Sequence, residues 1–200
     1  MTAVVFDLGN VLYRWAPEVV FLPFFETHAA MNAALDQIGF ADWNREQDRG
    51  RDWDDAVTLG AAAHPEYAHL FAAYRNGLAA AHREPINSSI ETLRSLHRSG
   101  VPVYAITNAS LETIAVLREM YDSLDLFRDI VVSAAEGVLK PGPEIFQRFL
   151  NRNDLTADRC IFIDDTEENV LGARAIGMRA IHFTTPETLR HTLKREGLPL

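Results

Sequence analysis

Carboxylates directly follow apolar runs at two separate points of the sequence. Asp7 comes after Ala3–Phe6, and the pair Asp164 and Asp165 comes after Cys160–Ile163. Adjacent carboxylates repel each other and raise each other's pKa unless a cation lies close by. Mg²⁺ takes oxygen ligands from one or two carboxylates and bridges to substrate phosphate. The three acids therefore predict a magnesium site, with helix capping as the alternative role of the acidic pair.

Two further polar segments stand near the ends of predicted strands. Thr107 and Asn108 follow Val101–Ile106, and Lys140 lies in a Lys-Pro-Gly-Pro turn. Most basic residues of the chain are arginine, and lysine occurs at only one other position. A compact ammonium at this turn could neutralise anionic oxygens beside Asp7. Each segment alone also fits a structural role, as a cap after a strand or as a solvated loop lysine.

Together these residue types fit phosphoryl transfer to a carboxylate. Asp7 would attack phosphorus and form an aspartyl phosphate, which water then hydrolyses. Mg²⁺ and Lys140 would stabilise the phosphoryl oxygens, and Thr107 and Asn108 would orient them. The cations are required because an anionic nucleophile has to approach an anionic phosphate.

The polar segments meet only if the strands that precede them are parallel neighbours. Runs rich in β-branched or aromatic residues predict strands at Ala3–Phe6, Val101–Ile106, Ile130–Ser133, Cys160–Ile163 and Ala180–Phe183. Helical periodicity lies at Ile86–Arg98, Leu111–Met120, Pro143–Leu150, Asn169–Ile176 and Pro186–Leu200. This alternation predicts an α/β fold with a parallel sheet covered by helices on both faces. In such a sheet the carboxyl ends of the strands share one crevice.

The long segment after the first strand has a different pattern. Residues 15–84 show helical periodicity and several aromatic residues but no convincing strand. We expect them to form a helical subdomain, a cap above the strand ends, with residues 1–14 and 85–200 forming the core domain. Candidate substrate contacts are Trp43, Arg45, Asp48 and Arg49 on the cap and Asn10 on the first loop.

Composition narrows the function classes further. The chain of 200 residues is 48% hydrophobic and 24% charged, which is typical of a soluble globular protein. A net charge of -9 and a pI near 5.2 disfavour a nucleic-acid partner. The single cysteine, Cys160, excludes an intramolecular disulfide, and no apolar window of ~18 residues predicts a membrane span. We expect a cytoplasmic monomer or homodimer that acts on a small phosphorylated substrate.

The order of the motifs resembles one protein family. FDLGNV, ITN, LKPGPEIF and FIDDTEENVLGARAIGM resemble the haloacid dehalogenase superfamily of hydrolases, in the branch with a small helical cap after the first motif. The resemblance runs from Val4 to about Phe183 and implies a Rossmann-like core. It also implies Asp7 as the nucleophile, Thr107 as a phosphate-contacting hydroxyl and Lys140 as the family's lysine. The DLGN form is similar to that of sugar-phosphate phosphatases.

The same resemblance implies the metal ligands and exposes one departure. Asp165 would bind Mg²⁺ directly, Asp164 would be a more distant or additional ligand, and the backbone carbonyl of Gly9 would add another. Phosphatases of the superfamily usually carry a second Asp at that position, which protonates the leaving group and later activates water. Such acid–base catalysis contributes ~10²–10⁴-fold. Asp48 and Glu46 of the cap are candidate replacements.

Three functions compete on this evidence. The first is a Mg²⁺-dependent phosphatase of a small metabolite such as a sugar phosphate. The second is a 2-haloacid dehalogenase, in which Asp7 attacks carbon without a metal. That class resembles D-x-Y-G-T at the first motif and lacks an acidic pair, so Gly9 and Asp164-Asp165 argue against it. The third is a catalytically weak protein that binds a phosphorylated ligand or a protein partner, and only Gly9 supports it.

Overall fold

A single parallel sheet forms the centre of the structure. The structure is a computed structural model that describes residues 2–200, and in that range it contains one five-stranded sheet with the order β3-β2-β1-β4-β5. The strands are β1 (Ala3–Phe6), β2 (Val103–Thr107), β3 (Ile130–Val132), β4 (Cys160–Asp164) and β5 (Arg179–His182). All five predicted strands are present. Their limits shift slightly, since Ser133 begins a helix and β2 ends at Thr107.

The register of the sheet brings the ends of its central strands level. Phe6 at the end of β1 pairs with Ala105 on β2 and with Ile163 on β4. All four residues of β1 are buried, because helices cover both faces of the sheet. The residues that follow β1, β2 and β4 therefore leave the sheet at one edge.

The segment after β1 folds into helices with an apolar core of their own. Its helices are α1 (Glu18–Phe21), α2 (His28–Gln37), α3 (Phe40–Asp48), α4 (Trp53–Ala63), α5 (Ala68–Asn76) and α6 (Leu78–Ala81). Large aromatic side chains, including Phe71 and Tyr74, fill this core. We call these helices the cap, and the division at residues 15 and 84 stays a prediction.

Two hydrogen-bonded chain segments join the cap to the core domain. The backbone N–H of Arg14 donates to the carbonyl of Glu84, and the N–H of Ile86 donates to the carbonyl of Leu12. The chain therefore leaves and re-enters the core domain at one paired position. This pairing fixes the base of the cap next to the end of β1.

The remaining helices cover the two faces of the sheet. They are α7 (Asn87–Arg98), α8 (Leu111–Met120), α9 (Ser133–Glu136), α10 (Pro143–Arg152), α11 (Glu167–Ala175) and α12 (Pro186–Arg195). One apolar cluster joins the sheet to α7, α8 and α12, and a second joins it to α10 and α11. Within residues 2–200, no helix combines the length and the apolar composition that a membrane crossing requires.

Candidate active site

Three carboxylates meet at the carboxyl edge of the sheet. Asp7 follows β1, Asp164 is the last residue of β4, and Asp165 comes next. One oxygen from each carboxylate lies within 4.8 Å of one oxygen from each of the other two. Asp164 is fully buried, Asp7 is nearly so, and Asp165 is half-buried. The parallel register of β1 and β4 brings these acids together.

Lys140 forms ion pairs with two of these acids. Its Nζ lies 2.8 Å from Oδ1 of Asp7 and 2.7 Å from Oδ2 of Asp164, and it donates to the carbonyl of Ile106 at 3.0 Å. These contacts use all three ammonium protons. Burial acts to lower the pKa of Lys140, but the two carboxylates outweigh burial and raise that pKa above its usual value. The lysine therefore stays charged inside the protein.

Asn108 and Gly172 determine where Lys140 lies. The Asn108 side chain donates from Nδ2 to the Lys140 carbonyl at 3.0 Å and accepts at Oδ1 from the Lys140 backbone N–H at 2.9 Å. Its polar atoms are thus engaged with the backbone of Lys140, which makes Asn108 a positioning residue. At Gly172 a Cβ would lie 2.5 Å from the carbonyl oxygen of Pro141. Glycine at this position lets α11 approach the lysine turn.

Asp164 is surrounded by donors. Besides Lys140 it accepts from the backbone N–H of Thr166 at 2.9 Å and from Nδ2 of Asn169 at 3.0 and 3.1 Å. Its carboxylate therefore holds Lys140 in place, while Asp7 and Asp165 line the open crevice. Sequence reasoning missed Asn169. Its position in the first turns of the helix after the acidic pair is the signal that could have identified it.

Asn10 connects the first loop to the acidic pair. Its backbone has a φ of 53°, a left-handed conformation that asparagine tolerates better than most residues. Its side-chain Oδ1 accepts from the backbone N–H of Trp15 at 3.0 Å, and its side chain acts to lower the pKa of Asp165. Burial nevertheless raises the pKa of Asp165, with help from the charge of Asp164. Asn10 also lines the crevice, and its contact with a substrate stays a prediction.

The acids carry more charge than Lys140 balances. Burial raises the pKa of Asp7 well above its ordinary value, Lys140 acts in the opposite direction, and Asp164 and Asp165 raise it further. Three carboxylates face one ammonium, so a divalent cation would relieve the remaining repulsion. The oxygen-only donor set fits Mg²⁺. Asp7, Asp165 and the carbonyl of Gly9 are the groups that would hold the ion.

The crevice above the acids has a volume of about 240 Å³. Its floor includes Asp7, Gly9, Thr107, Lys140 and Asp165, and its other side includes Trp15, Asn44, Asp48, Tyr74 and His82. The indole Nε1 of Trp15 donates to the Tyr74 hydroxyl at 2.9 Å, which joins two aromatic side chains into one wall. Thr107 is 3% exposed, so its short side chain lies within the floor.

Only Asp48 among the predicted cap residues lines this crevice. Asn44, one helical turn before it, shares that face of α3 and was missed, although the spacing of four residues could have indicated it. Arg45 and Arg49 are exposed outside the crevice, and Arg49 lies 3.7 Å from Glu46.

Trp43 is a core residue of the cap instead of a substrate contact. It packs against Trp53 and Phe71, and its Nε1 donates to the carbonyl of Ala56 at 3.0 Å. Because it lies on the buried face of α3, it points away from the crevice that Asp48 lines. Its large apolar surface explains this placement.

Comparison with known proteins defines the family. Residues 1–177 match the haloacid dehalogenase-like hydrolases, and the chain belongs to that family. It is 32% identical over 183 residues to the sesquiterpene phosphatase astK of Aspergillus oryzae, covering 91% of this chain and 89% of that protein. It is 28% identical over 208 aligned positions to a ribulose-1,5-bisphosphate 5-phosphatase of Halopiger xanaduensis, covering 93% and 86%.

Solved structures show the same fold. A magnesium complex of a HAD family enzyme from Bacteroides thetaiotaomicron has a TM-score of 0.76 at 18% identity, covering 97% of this chain and 98% of that one. The predicted α/β fold class and the expected family are therefore confirmed. The protein is a hydrolase, and the phosphatases among its relatives support hydrolysis of phosphoric monoesters.

Proposed function

We propose that this protein is a Mg²⁺-dependent phosphatase that hydrolyses a small phosphomonoester through an aspartyl phosphate on Asp7. The observation that carries the proposal is the meeting of Asp7, Lys140, Asp164 and Asp165 at one edge of the sheet. The names of two relatives with near-complete coverage support it, since both are phosphatases. A cytoplasmic location and a monomeric or homodimeric state remain part of the proposal.

The floor residues have distinct tasks in this mechanism. A carboxylate oxygen of Asp7 attacks phosphorus, and water later displaces the phosphate from the resulting mixed anhydride. Lys140 stays charged beside Asp7 and stabilises the phosphoryl oxygens, and the Thr107 hydroxyl orients them. Asp7, Asp165 and the carbonyl of Gly9 would hold Mg²⁺, which would supply further positive charge beside the phosphoryl oxygens. Asp164 and Asn108 keep Lys140 in position.

The acidic pair also separates this function from its competitors. A dehalogenase needs no metal, yet Asp165 lines the crevice beside Asp7. A protein that only binds its ligand would not need a lysine whose ammonium is buried against the nucleophile. Both features support phosphoryl chemistry.

The substrate has two candidate classes. The DLGN motif favours a sugar phosphate, and Asn44 offers a polar contact on the cap. The wall formed by Trp15 and Tyr74 favours the phosphate of an apolar alcohol. The name of the fungal relative, a sesquiterpene phosphatase, supports the second class.

Phosphate release from a substrate panel tests the proposal. The panel contains sugar phosphates, prenyl monophosphates, aryl phosphates and 2-haloacids, each with Mg²⁺ and with a chelator. We expect phosphate release that is lost on chelation and restored by added Mg²⁺. Halide release that survives chelation would establish the dehalogenase, and phosphate binding without turnover would establish the binding protein. The preferred alcohol then decides between the two substrate classes.

A further inference from the structure

The crevice lacks an acid at the position two residues after Asp7. Gly9 stands there, and a Cβ built on it would meet nothing within 4 Å. When Asp7 attacks phosphorus, the departing oxygen gains negative charge and needs a proton unless it is weakly basic. Another group must therefore supply that proton for an alcohol to leave.

Asp48 of the cap lines the crevice that Gly9 also lines. It is half-buried and lines the same crevice as Asp7, Thr107 and Lys140. It is also the last residue of α3, where the helix dipole disfavours a carboxylate. Helix stability therefore does not explain an acid at this position, whereas a role in the crevice does.

The core domain holds the end of α3 in place. The Ser133 hydroxyl at the start of α9 donates to the backbone carbonyl of Asp48 at 2.5 Å. Two residues later, Gly50 has a φ of 108°, and a Cβ there would lie 2.8 Å from the carbonyl oxygen of Ala134. Contacts from α9 thus fix the end of α3, and with it Asp48, above the strand ends.

The charge environment suits proton transfer. Burial raises the pKa of Asp48 to about 7, and the negative charge of Asp7 adds to that rise, whereas Lys140 and Arg45 act against it. Both protonation states of Asp48 are therefore accessible near neutral pH.

Other titratable residues near the crevice are less suitable. Burial lowers the pKa of His82, which keeps its ring neutral, and its Nδ1 bonds the carbonyl of Leu78. The Nδ1 proton is thus engaged, and Nε2 carries none. Glu46 is exposed outside the crevice and pairs with Arg49.

We propose that Asp48 is the general acid and base of this enzyme, supplied by the cap in place of residue 9. The inference rests on the proposed phosphatase function. As the bond between phosphorus and the leaving oxygen breaks, protonated Asp48 gives its proton to that oxygen, and the alcohol departs. The Asp48 carboxylate then takes a proton from water as the water oxygen bonds to phosphorus. Asp7 leaves as a carboxylate, phosphate is released, and Asp48 is protonated again.

Leaving-group dependence tests this role. Asp48→Asn is compared with wild type on an alkyl phosphate, which needs a proton donor, and on the phosphate of an acidic nitrophenol, which does not. We expect kcat/KM to fall ~10²–10⁴-fold for the alkyl phosphate and less than ~10-fold for the aryl phosphate. Glu46→Gln, the matched cap variant, should stay within about 2-fold on both. An equal loss on both substrates, or no loss, would overturn the assignment.

A second variant restores the missing acid on the floor. Because the space at Gly9 is open, Gly9→Asp in the Asp48→Asn background should recover at least ~10-fold in alkyl phosphate turnover. Failure of a folded double variant to recover that turnover would contradict the proposal. If wild type hydrolyses none of these esters with Mg²⁺, the proposed function itself fails. If wild type is active and Asp48→Asn equals it, only the role of Asp48 fails.

Discussion

The floor of the crevice and its cap side are held in place by different interactions. On the floor, Lys140 is bonded to Asp7, to Asp164 and to the carbonyl of Ile106. On the cap side, Trp15 and Tyr74 form a wall with a single hydrogen bond between them. The floor is thus a buried polar network, whereas the cap depends mainly on aromatic packing.

This difference separates chemistry from recognition. A buried polar network tolerates little change, because each lost partner leaves a desolvated group unpaired. The aromatic wall presents apolar surface to the crevice, while the floor presents the charged groups. Asp48 is the exception on the cap, since contacts with α9 hold the end of α3 over the floor.

The largest expected effect comes from removing the nucleophile. Asp7→Asn replaces the attacking carboxylate with an amide that forms no acyl phosphate, so kcat should fall about 10³-fold or more. Steady-state phosphate release measures the loss, and circular dichroism checks that the fold is intact. Rates within a few-fold of wild type would refute the assignment of Asp7.

The pH dependence of the unfolding free energy gives a second test of the environment of Asp7. Its folded-state pKa is raised, so ionising it in the metal-free protein costs folding free energy. The free energy of unfolding of wild type should therefore fall, relative to Asp7→Asn, as pH rises from about 4 to about 7. Urea titrations with a chelator at pH 5 and pH 8 measure this difference. If wild type instead became more stable relative to Asp7→Asn between pH 5 and pH 8, burial would not raise the pKa of Asp7.

Removing the buried ammonium should have the next largest effect. Lys140→Met leaves Asp7 and Asp164 without their shared cation, and we expect a loss of ~10²–10³-fold in kcat. Breaking such a buried pair also costs ~3–5 kcal/mol of stability. Lys194→Met, at the other lysine of the chain, should change neither quantity. Equal behaviour of the two variants would show that Lys140 contributes neither to catalysis nor to stability.

A smaller effect is expected from the close contact between Gly172 and Pro141, next to Lys140. Gly172→Ala would place a methyl group 2.5 Å from the Pro141 carbonyl oxygen, so the lysine turn or α11 has to move. We expect a loss of ~1–3 kcal/mol in stability, measured by urea unfolding, with a few-fold loss of kcat. Leu171→Ala changes an exposed neighbour and serves as the control. Equal stability of both variants would mean that the contact is not tight.

The smallest effect is expected on the outer face of the cap. Arg49→Ala removes an exposed side chain that pairs only loosely with Glu46, so stability should change by less than about 0.5 kcal/mol. Its kcat/KM should stay within about 2-fold of wild type. A rise in KM of ten-fold or more would show that Arg49 reaches the substrate and that the cap moves over it.

The accuracy of sequence reasoning differs between the two regions. Asp7 and Asp165 could be located because an apolar run that ends in an acid marks the end of a strand, and parallel strands share that end. The partner of Asn108 could not be predicted in this way. Its bonds to Lys140 depend on a turn that lies more than 30 residues further along the chain.

The cap shows what the sequence does not predict, which is the orientation of its helices. Its helical periodicity predicts helices but not their rotation, so Trp43 was expected at the crevice and is instead buried inside the cap. Asp48 was one of several charged candidates in and just after α3, and only the docked structure shows that Asp48 lines the crevice whereas Arg45 and Arg49 do not.

The sequence by itself determined the order of strands and helices, the polar residues that end the strands and the family of the protein. Alternation of short apolar runs with amphipathic segments is a local property of the chain, and it strongly indicates a parallel sheet. The tertiary structure decided which cap side chains face the floor. That choice depends on how an inserted bundle docks on the sheet, through contacts between residues far apart in the chain.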